Sequence, residues 1–217
     1  MFLLGTTNKY QMTHKSFFTY GAAEMAHLQQ ADPILAPIIV RMGVIKREVI
    51  PDLFTALVHS IVSQQISTVA ARTVWHRVQK SVSSVSPEQI LAVNPAQLRS
   101  CGLSGRKVDY IITAAQRVSS GELYIAALPS LSDAEIIAAL TTLPGVGEWT
   151  AQMLLIFSLQ RPNVLSYGDL AIRTALQHLY APEILDKKSF QGHWERYSPY
   201  ASVASLYHWA VAGELKR

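Results

Sequence analysis

The stretch from Ser132 to Ser158 constrains this chain most: a capped helix there runs into Leu143-Pro144-Gly145-Val146-Gly147, and a second helix starts at Glu148-Trp149-Thr150. Ser132-Asp133-Ala134-Glu135 is a capping box, and Ile136, Ile137 and Leu140 follow at the spacing of one helical face, so this helix is expected to stop near Thr141. The pattern is helix, tight turn, helix. Two glycines one residue apart allow positive φ and remove side chains that would hold the backbone away from a partner. The amides of Gly145, Gly147 and the following turn can then face one anion, as helix N-termini do for phosphate. A plain αα connection with a glycine C-cap would read the same way, and these residues alone do not separate the two.

Helical periodicity dominates elsewhere. Ser86-Pro87-Glu88-Gln89 and Asn94-Pro95-Ala96-Gln97 each place proline directly after a capping residue, which predicts two short helices. From Pro51 to about Ser81 the chain carries Leu53, Leu57 and Ile61, then Ile66, Val69, Ala70, Val74 and Val78, the apolar stripe of two consecutive helices or a bent one. Ala70 and Ala71 are small enough for close packing. Alternation of apolar and polar residues is brief, and no Asn-Gly or Asp-Gly turn occurs, so an all-α fold with little or no sheet is expected. A chain of 217 residues can hold one core or two lobes sharing a core.

Every apolar run is broken well before the roughly 18 residues a membrane span needs, so a soluble protein without membrane contact is expected. The first residues lack a basic region, a continuous apolar region and a small-residue cleavage site, which predicts an intracellular protein. The single cysteine, Cys101, cannot form an internal disulfide or by itself hold zinc or an iron–sulfur cluster, so neither is expected. Nineteen Lys and Arg against fifteen Asp and Glu give a net charge of +4, which permits a polyanionic partner without requiring one. His59, His76, His178 and His208 show no metal-ligand spacing and are expected to be satisfied or exposed.

Asp169 precedes Leu170-Ala171-Ile172-Arg173-Thr174-Ala175-Leu176, in which Ile172, Ala175, Leu176 and Leu179 define one buried face, so it is expected at a helix N-cap. Such a position is ordinary for aspartate. It also favours the charged carboxylate, which can stabilise a neighbouring cation.

Leu-Pro-Gly-Val-Gly followed by Trp-Thr-Ala, with Gly168-Asp169 twenty residues after Trp149, resembles the helix-hairpin-helix (HhH-GPD) DNA glycosylases, and within them the 3-methyladenine glycosylase II branch in a compact form. Leu57 to Arg77 and Leu98 to Tyr110 match that family's pattern too, so the resemblance covers about residues 50 to 209. It implies an all-α fold of two helical lobes around a DNA-binding cleft, residues 51–150 forming one and 1–50 plus 151–217 the other. Larger relatives add an N-terminal β domain, for which some 50 residues before Pro51 leave no room. The partner implied is double-stranded DNA with a damaged base, bound by a monomer, in the nucleoid of a prokaryotic cytoplasm or in a eukaryotic nucleus.

The resemblance also assigns roles. Gly145, Val146, Gly147 and Thr150 would hold the DNA backbone, and the carbonyls of Thr141, Leu143 and Val146 would match those that hold a Na or K ion in relatives. Asp169 stands where the family has its catalytic aspartate. Breaking a purine N-glycosidic bond builds positive charge on the deoxyribose, and a fixed carboxylate in a water-poor pocket stabilises it. Members that also cut the strand use a nucleophilic lysine two residues after the second hairpin glycine; Trp149 stands there and cannot form a Schiff base. A monofunctional, water-using enzyme is therefore expected, with alkylated purines such as 3-methyladenine and 7-methylguanine as substrates, since a cationic base leaves without a general acid.

Trp149 and Trp209 would line the pocket for the flipped base. Gln65, in Gln64-Gln65-Ile66-Ser67, would fill the gap the base leaves, although the two glutamines could equally brace the turn. Arg106 and Lys107 would touch phosphates or form a solvated face. Two alternatives stay open: a glycosylase for deaminated or mismatched bases, and a non-catalytic DNA-binding module.

Overall fold

The computed structural model describes residues 15–181 and 185–216. Its architecture is helical, apart from two antiparallel two-residue strands, β1 (Ser16–Phe17) and β2 (Glu48–Val49), with Ser16 opposite Val49. Between them lie α1 (Ala22–Ala31) and α2 (Ala36–Met42). The stretch expected to be two helices or a bent one is two, α3 (Leu53–Ser63) and α4 (Thr68–Ser81), capped by Asp52 and Ser67. The short helices α5 (Pro87–Ala92) and α6 (Pro95–Ser100) follow their Ser86 and Asn94 caps, and α7 (Gly105–Ser119) follows Ser104.

After a 3₁₀ turn at Ile125–Ser130 come α8 (Asp133–Leu140) and α9 (Glu148–Phe157), flanking the glycine hairpin. The Ser132–Glu135 capping box forms as expected, and Thr141 is the C-cap. The chain closes with α10 (Leu170–Tyr180), α11 (Lys187–Tyr197) and α12 (Ala201–Glu214).

One large apolar cluster joins residues from both ends and the middle, among them Leu28, Leu57, Ile111, Leu154 and Leu206. The helices from the two ends meet directly, α1 against α11 and α12. A boundary at residue 150 falls inside α9, so the two halves are continuous through that helix. The first two turns of α12 are buried on every face, Ala201 through His208. Its serines make this possible: Ser202 Oγ donates to the carbonyl of Arg161 at 2.6 Å and Ser205 Oγ to that of Val164 at 3.1 Å, satisfying loop carbonyls that would otherwise be buried unpaired.

α4 departs from the expected stripe. Ile66 and Val69 are exposed, Val69 at 75%, and the buried side chains are Ala71 and Val78. Gln65 through Ala70 is an unbroken exposed run, so these apolar residues belong to a surface rather than to the core.

Buried Asp32, at the end of α1, accepts from the hydroxyl of Tyr180 at 2.6 Å, from Arg196 at 3.3 Å and from the amides of Ile34 and Leu35. Burial pushes its carboxyl up, but the hydrogen bonds from Tyr180, Leu35, Arg196 and Ile34 outweigh that and hold it below the usual value. Tyr180 in turn meets the Tyr197 hydroxyl at 2.8 Å. The end of α10 is thereby fastened to the N-terminal helices.

His208 packs at 5.4 Å from Tyr197, fully buried, and neither ring nitrogen finds a partner among the described residues. That corrects the expectation of a satisfied or exposed histidine. Burial pushes its pKa down to about 3, with His193 adding to the effect and Asp32 opposing it, so the ring is neutral.

Candidate functional site

Asp169 sits at the N-cap of α10 with 6% exposure. Its Oδ1 accepts from the amides of Ala171 at 2.9 Å and Ile172 at 3.0 Å, which is why an aspartate starts this helix. Its Oδ2 accepts from the indole Nε1 of Trp149 at 2.9 Å. The carboxylate is thus fixed in rotation by three donors, with one lone pair of Oδ2 left to face a ligand.

The two side chains line a depression of about 390 Å³ together with Gly168, Leu170, Ala171, Thr174 and Lys216. That volume lies within the range of small-molecule sites. Trp149 is 43% exposed and Leu170 68%, so an aromatic face and an aliphatic side chain flank the carboxylate on the open side. Sequence reasoning did not assign Leu170, Ala171 and Thr174 to the site, and it missed Lys216 because no pattern ties that lysine to an aspartate 47 positions earlier.

Trp209 is placed elsewhere. It lines a smaller depression of about 110 Å³ with Ile45, Arg47, Leu206 and Ala210, its ring 5.3 Å from that of Phe157. The expectation that it shares a pocket with Trp149 is corrected: Phe157, the last residue of α9, draws the Trp209 ring onto the α9 end remote from Trp149.

In the hairpin, Gly145 has φ +79°, and a Cβ there would stand 2.2 Å from the ring of Tyr110 on α7. Its glycine is required by the left-handed backbone and by the close approach of that ring. Gly147, the N-cap of α9, has open space where a Cβ would be, so its face is available to a partner. Val146 and Thr150 are buried and can offer a phosphate only backbone atoms, and the Thr150 hydroxyl lies within 3.5 Å of Gln64 Nε2. Gln64 Nε2 also donates to the Gly145 carbonyl at 2.9 Å.

The two adjacent glutamines therefore divide the alternatives weighed for them. Gln64 braces the turn; Gln65 is exposed, with φ +54°. Arg106 is exposed, whereas Lys107 turns inward and its Nζ donates to the carbonyls of Val62 and Gln64, both at 2.7 Å. Lys107 accordingly turns its amine to the end of α3 rather than to a solvated face, and burial lowers its pKa.

Of the carbonyls expected to match a monovalent-cation site, that of Leu143 accepts the Val146 amide at 3.1 Å, and Arg117 Nη1 takes the intervening Thr142 carbonyl at 2.8 Å. All-oxygen donors suit Na or K chemically. Among the described residues no group of three or more His, Cys, Asp or Glu could hold a metal ion, and no helix is long and apolar enough to cross a membrane.

Comparison with known proteins places the hairpin and Asp169 inside the matched part of the chain. A family model described as HhH-GPD superfamily base excision DNA repair protein matches residues 58–199. DNA-3-methyladenine glycosylase 1 of Schizosaccharomyces pombe is 35% identical over 165 residues, covering 73% of this chain and 72% of that protein. DNA-3-methyladenine glycosylase of Saccharomyces cerevisiae is 27% identical over 253 residues, covering 94% and 83%. The crystal structure of a DNA-3-methyladenine glycosidase from Bacillus halodurans superposes with TM-score 0.80 at 35% identity, over 93% of this chain and 94% of that one. The S. pombe 3-methyladenine DNA glycosylase in complex with abasic DNA gives TM-score 0.75 at 30% identity, over 87% and 95%.

Proposed function

The chain belongs to the HhH-GPD superfamily of base excision DNA repair proteins, and from that premise we propose that it is a monofunctional DNA glycosylase that hydrolyses the N-glycosidic bond of alkylated purines turned out of duplex DNA. The observation that carries this reading is a buried carboxylate held by two amides and an indole, on the wall of a depression of base-accepting size beside a glycine hairpin.

The chemistry follows from the geometry. Gly147 and the first turn of α9 offer amides and the positive end of a helix to a backbone phosphate. The flipped base enters the depression with its face toward Trp149, whose electron-rich ring favours a cationic purine. As the C1′–N bond breaks, its electron pair passes to the base, and a neutral methylated purine leaves from a cation without needing a proton. The positive charge that develops on the sugar faces the free lone pair of Asp169, already oriented, so little reorganisation is needed. Water adds at C1′ and its proton passes to solvent, leaving an abasic site.

The hairpin position that carries a lysine in strand-cleaving relatives holds Trp149, which supports hydrolysis without strand cleavage. If a Na or K ion binds the hairpin, the carbonyls of Thr141, Leu143 and Val146 would hold it and it would add positive charge beside a phosphate. The protein would act as a monomer wherever chromosomal DNA is kept.

The test is release of 3-methyladenine or 7-methylguanine from methylated duplex DNA by the wild type and by Asp169→Asn, with DNA binding recorded for both. Asparagine is also a good N-cap, so the variant should fold and bind while excision falls by about 10²–10³-fold, the usual cost of one preorganised electrostatic group. A wild type that binds DNA and releases neither base overturns the substrate assignment.

A further inference from the structure

The turn after α3 is an awkward piece of backbone. α3 ends at Ser63 with its last carbonyls unpaired within the helix, and the chain then passes through Gln64 at ψ +136° and Gln65 at φ +54°, a left-handed conformation that costs a non-glycine residue roughly 1–2 kcal/mol. What holds it is Lys107, which reaches from the first turn of α7 and donates to Val62 O and Gln64 O at 2.7 Å each. A cation at a helix C-terminus is also favoured by the dipole.

Three residues on, and therefore on the same face of α7, Tyr110 lies directly beneath Gly145 of the hairpin. Gln64 closes the triangle, its side chain donating to the Gly145 carbonyl. One helix thus sets the position of both loops, and the loops are tied to each other.

We propose that Lys107 is a positioning residue which, through Gln64 and in concert with Tyr110, fixes the exposed Gln65 side chain at a set distance from the hairpin, so that gap filling and phosphate binding engage a duplex in register. The part of this concerning DNA rests on the glycosylase reading; the brace itself does not. Exposed Arg106, next to it, remains the residue that can reach a phosphate.

The experiment compares wild type, Lys107→Met, Gln65→Ala, the double variant and Gln64→Met, each checked for cooperative unfolding. In the DNA-free protein, Lys107→Met should speed amide exchange at residues 64–66 and at 145–147 together. On DNA, its preference for a duplex containing a tetrahydrofuran abasic analogue over an intact duplex should fall about tenfold, the scale of one or two hydrogen bonds. Gln65→Ala should lose a similar amount, and the double variant no more than either, since the two act through one element. Should Lys107→Met fail to fold, Gln64→Met cuts the same link from the other side and should show the same coupled exchange and loss of preference.

Multiplying losses in the double variant would overturn the proposal. So would a salt dependence of binding that weakens by about one unit of slope in Lys107→Met, the sign of a lost phosphate contact. Exchange that rises in both loops while the wild type releases no base would retain the brace and sink the glycosylase reading; base release with exchange unchanged in the variants would do the reverse.

Discussion

The indole Nε1 of Trp149 donates to Asp169 Oδ2 over 2.9 Å, joining the first turn of α9 to the N-cap of α10. A side chain read as a wall for the base therefore also aims the carboxylate. The two roles use different parts of the ring, the edge for Asp169 and the face for a ligand.

Trp149→Phe separates them. Phenylalanine keeps an aromatic face and loses the N–H, so substrate binding should change little while single-turnover excision slows about tenfold, the worth of a hydrogen bond to a charged group partly replaced by water. Wild-type excision rates in this variant would show that the indole donor contributes nothing to the chemistry.

The two hairpin glycines should respond oppositely to alanine. Gly145→Ala forces a methyl to 2.2 Å from the Tyr110 ring at φ +79° and should cost about 2 kcal/mol or more in denaturant unfolding. Gly147→Ala meets nothing within 4 Å, so stability should stay within about 0.5 kcal/mol while duplex affinity falls. Equal stability losses for both would contradict the placement of the turn.

Lys216 gives the monofunctional reading a direct check, because it is the lysine among the residues that line the depression with Asp169. Borohydride reduction in the presence of abasic DNA should trap no covalent complex, and Lys216→Gln should excise at close to the wild-type rate. A trapped adduct that disappears in Lys216→Gln would assign a strand-cleaving activity to this chain after all.

Acid should reveal His208. Its folded pKa of about 3 lies below the unfolded value of 6.5, so the unfolded chain takes up a proton that the folded one refuses, and stability drains away as pH falls below 6.5. Between pH 7 and pH 5 the loss from this residue is about 2 kcal/mol. His193, also lowered by burial, adds in the same direction, and Asp32 contributes only below the ordinary carboxylate range. Urea unfolding of His208→Phe should show a pH 7 to pH 5 slope shallower by that amount; an unchanged slope would mean that the ring is already paired or hydrated.

Much of this was legible in the chain because it is local. A capping box, a proline after Ser86 or Asn94 and a pair of glycines act within four or five residues, so helix starts and the hairpin could be read from spacing. Asp169 was legible for the same reason, as the residue before an amphipathic run.

The rest depends on contacts across the fold. Lys107 sits beside Arg106 in a sequence that reads as two surface cations, and only the orphan carbonyls at the end of α3, more than 40 residues earlier, turn one of them inward. Ile66 and Val69 fit a helical stripe, yet both are exposed and no element among the described residues buries them. Trp149 and Trp209 look alike from spacing, and what separates them is Phe157.

α10 is clamped twice. At one end Asp169 is gripped by Trp149, and at the other, about 16 Å along the axis, Tyr180 is latched to Asp32. A rod held at both ends resists sliding or swivelling toward a ligand, so under the proposed reaction selectivity would come from which nucleotides reach the carboxylate, and a chemically labile base carried to a steady charge would be cut more readily than a robust one.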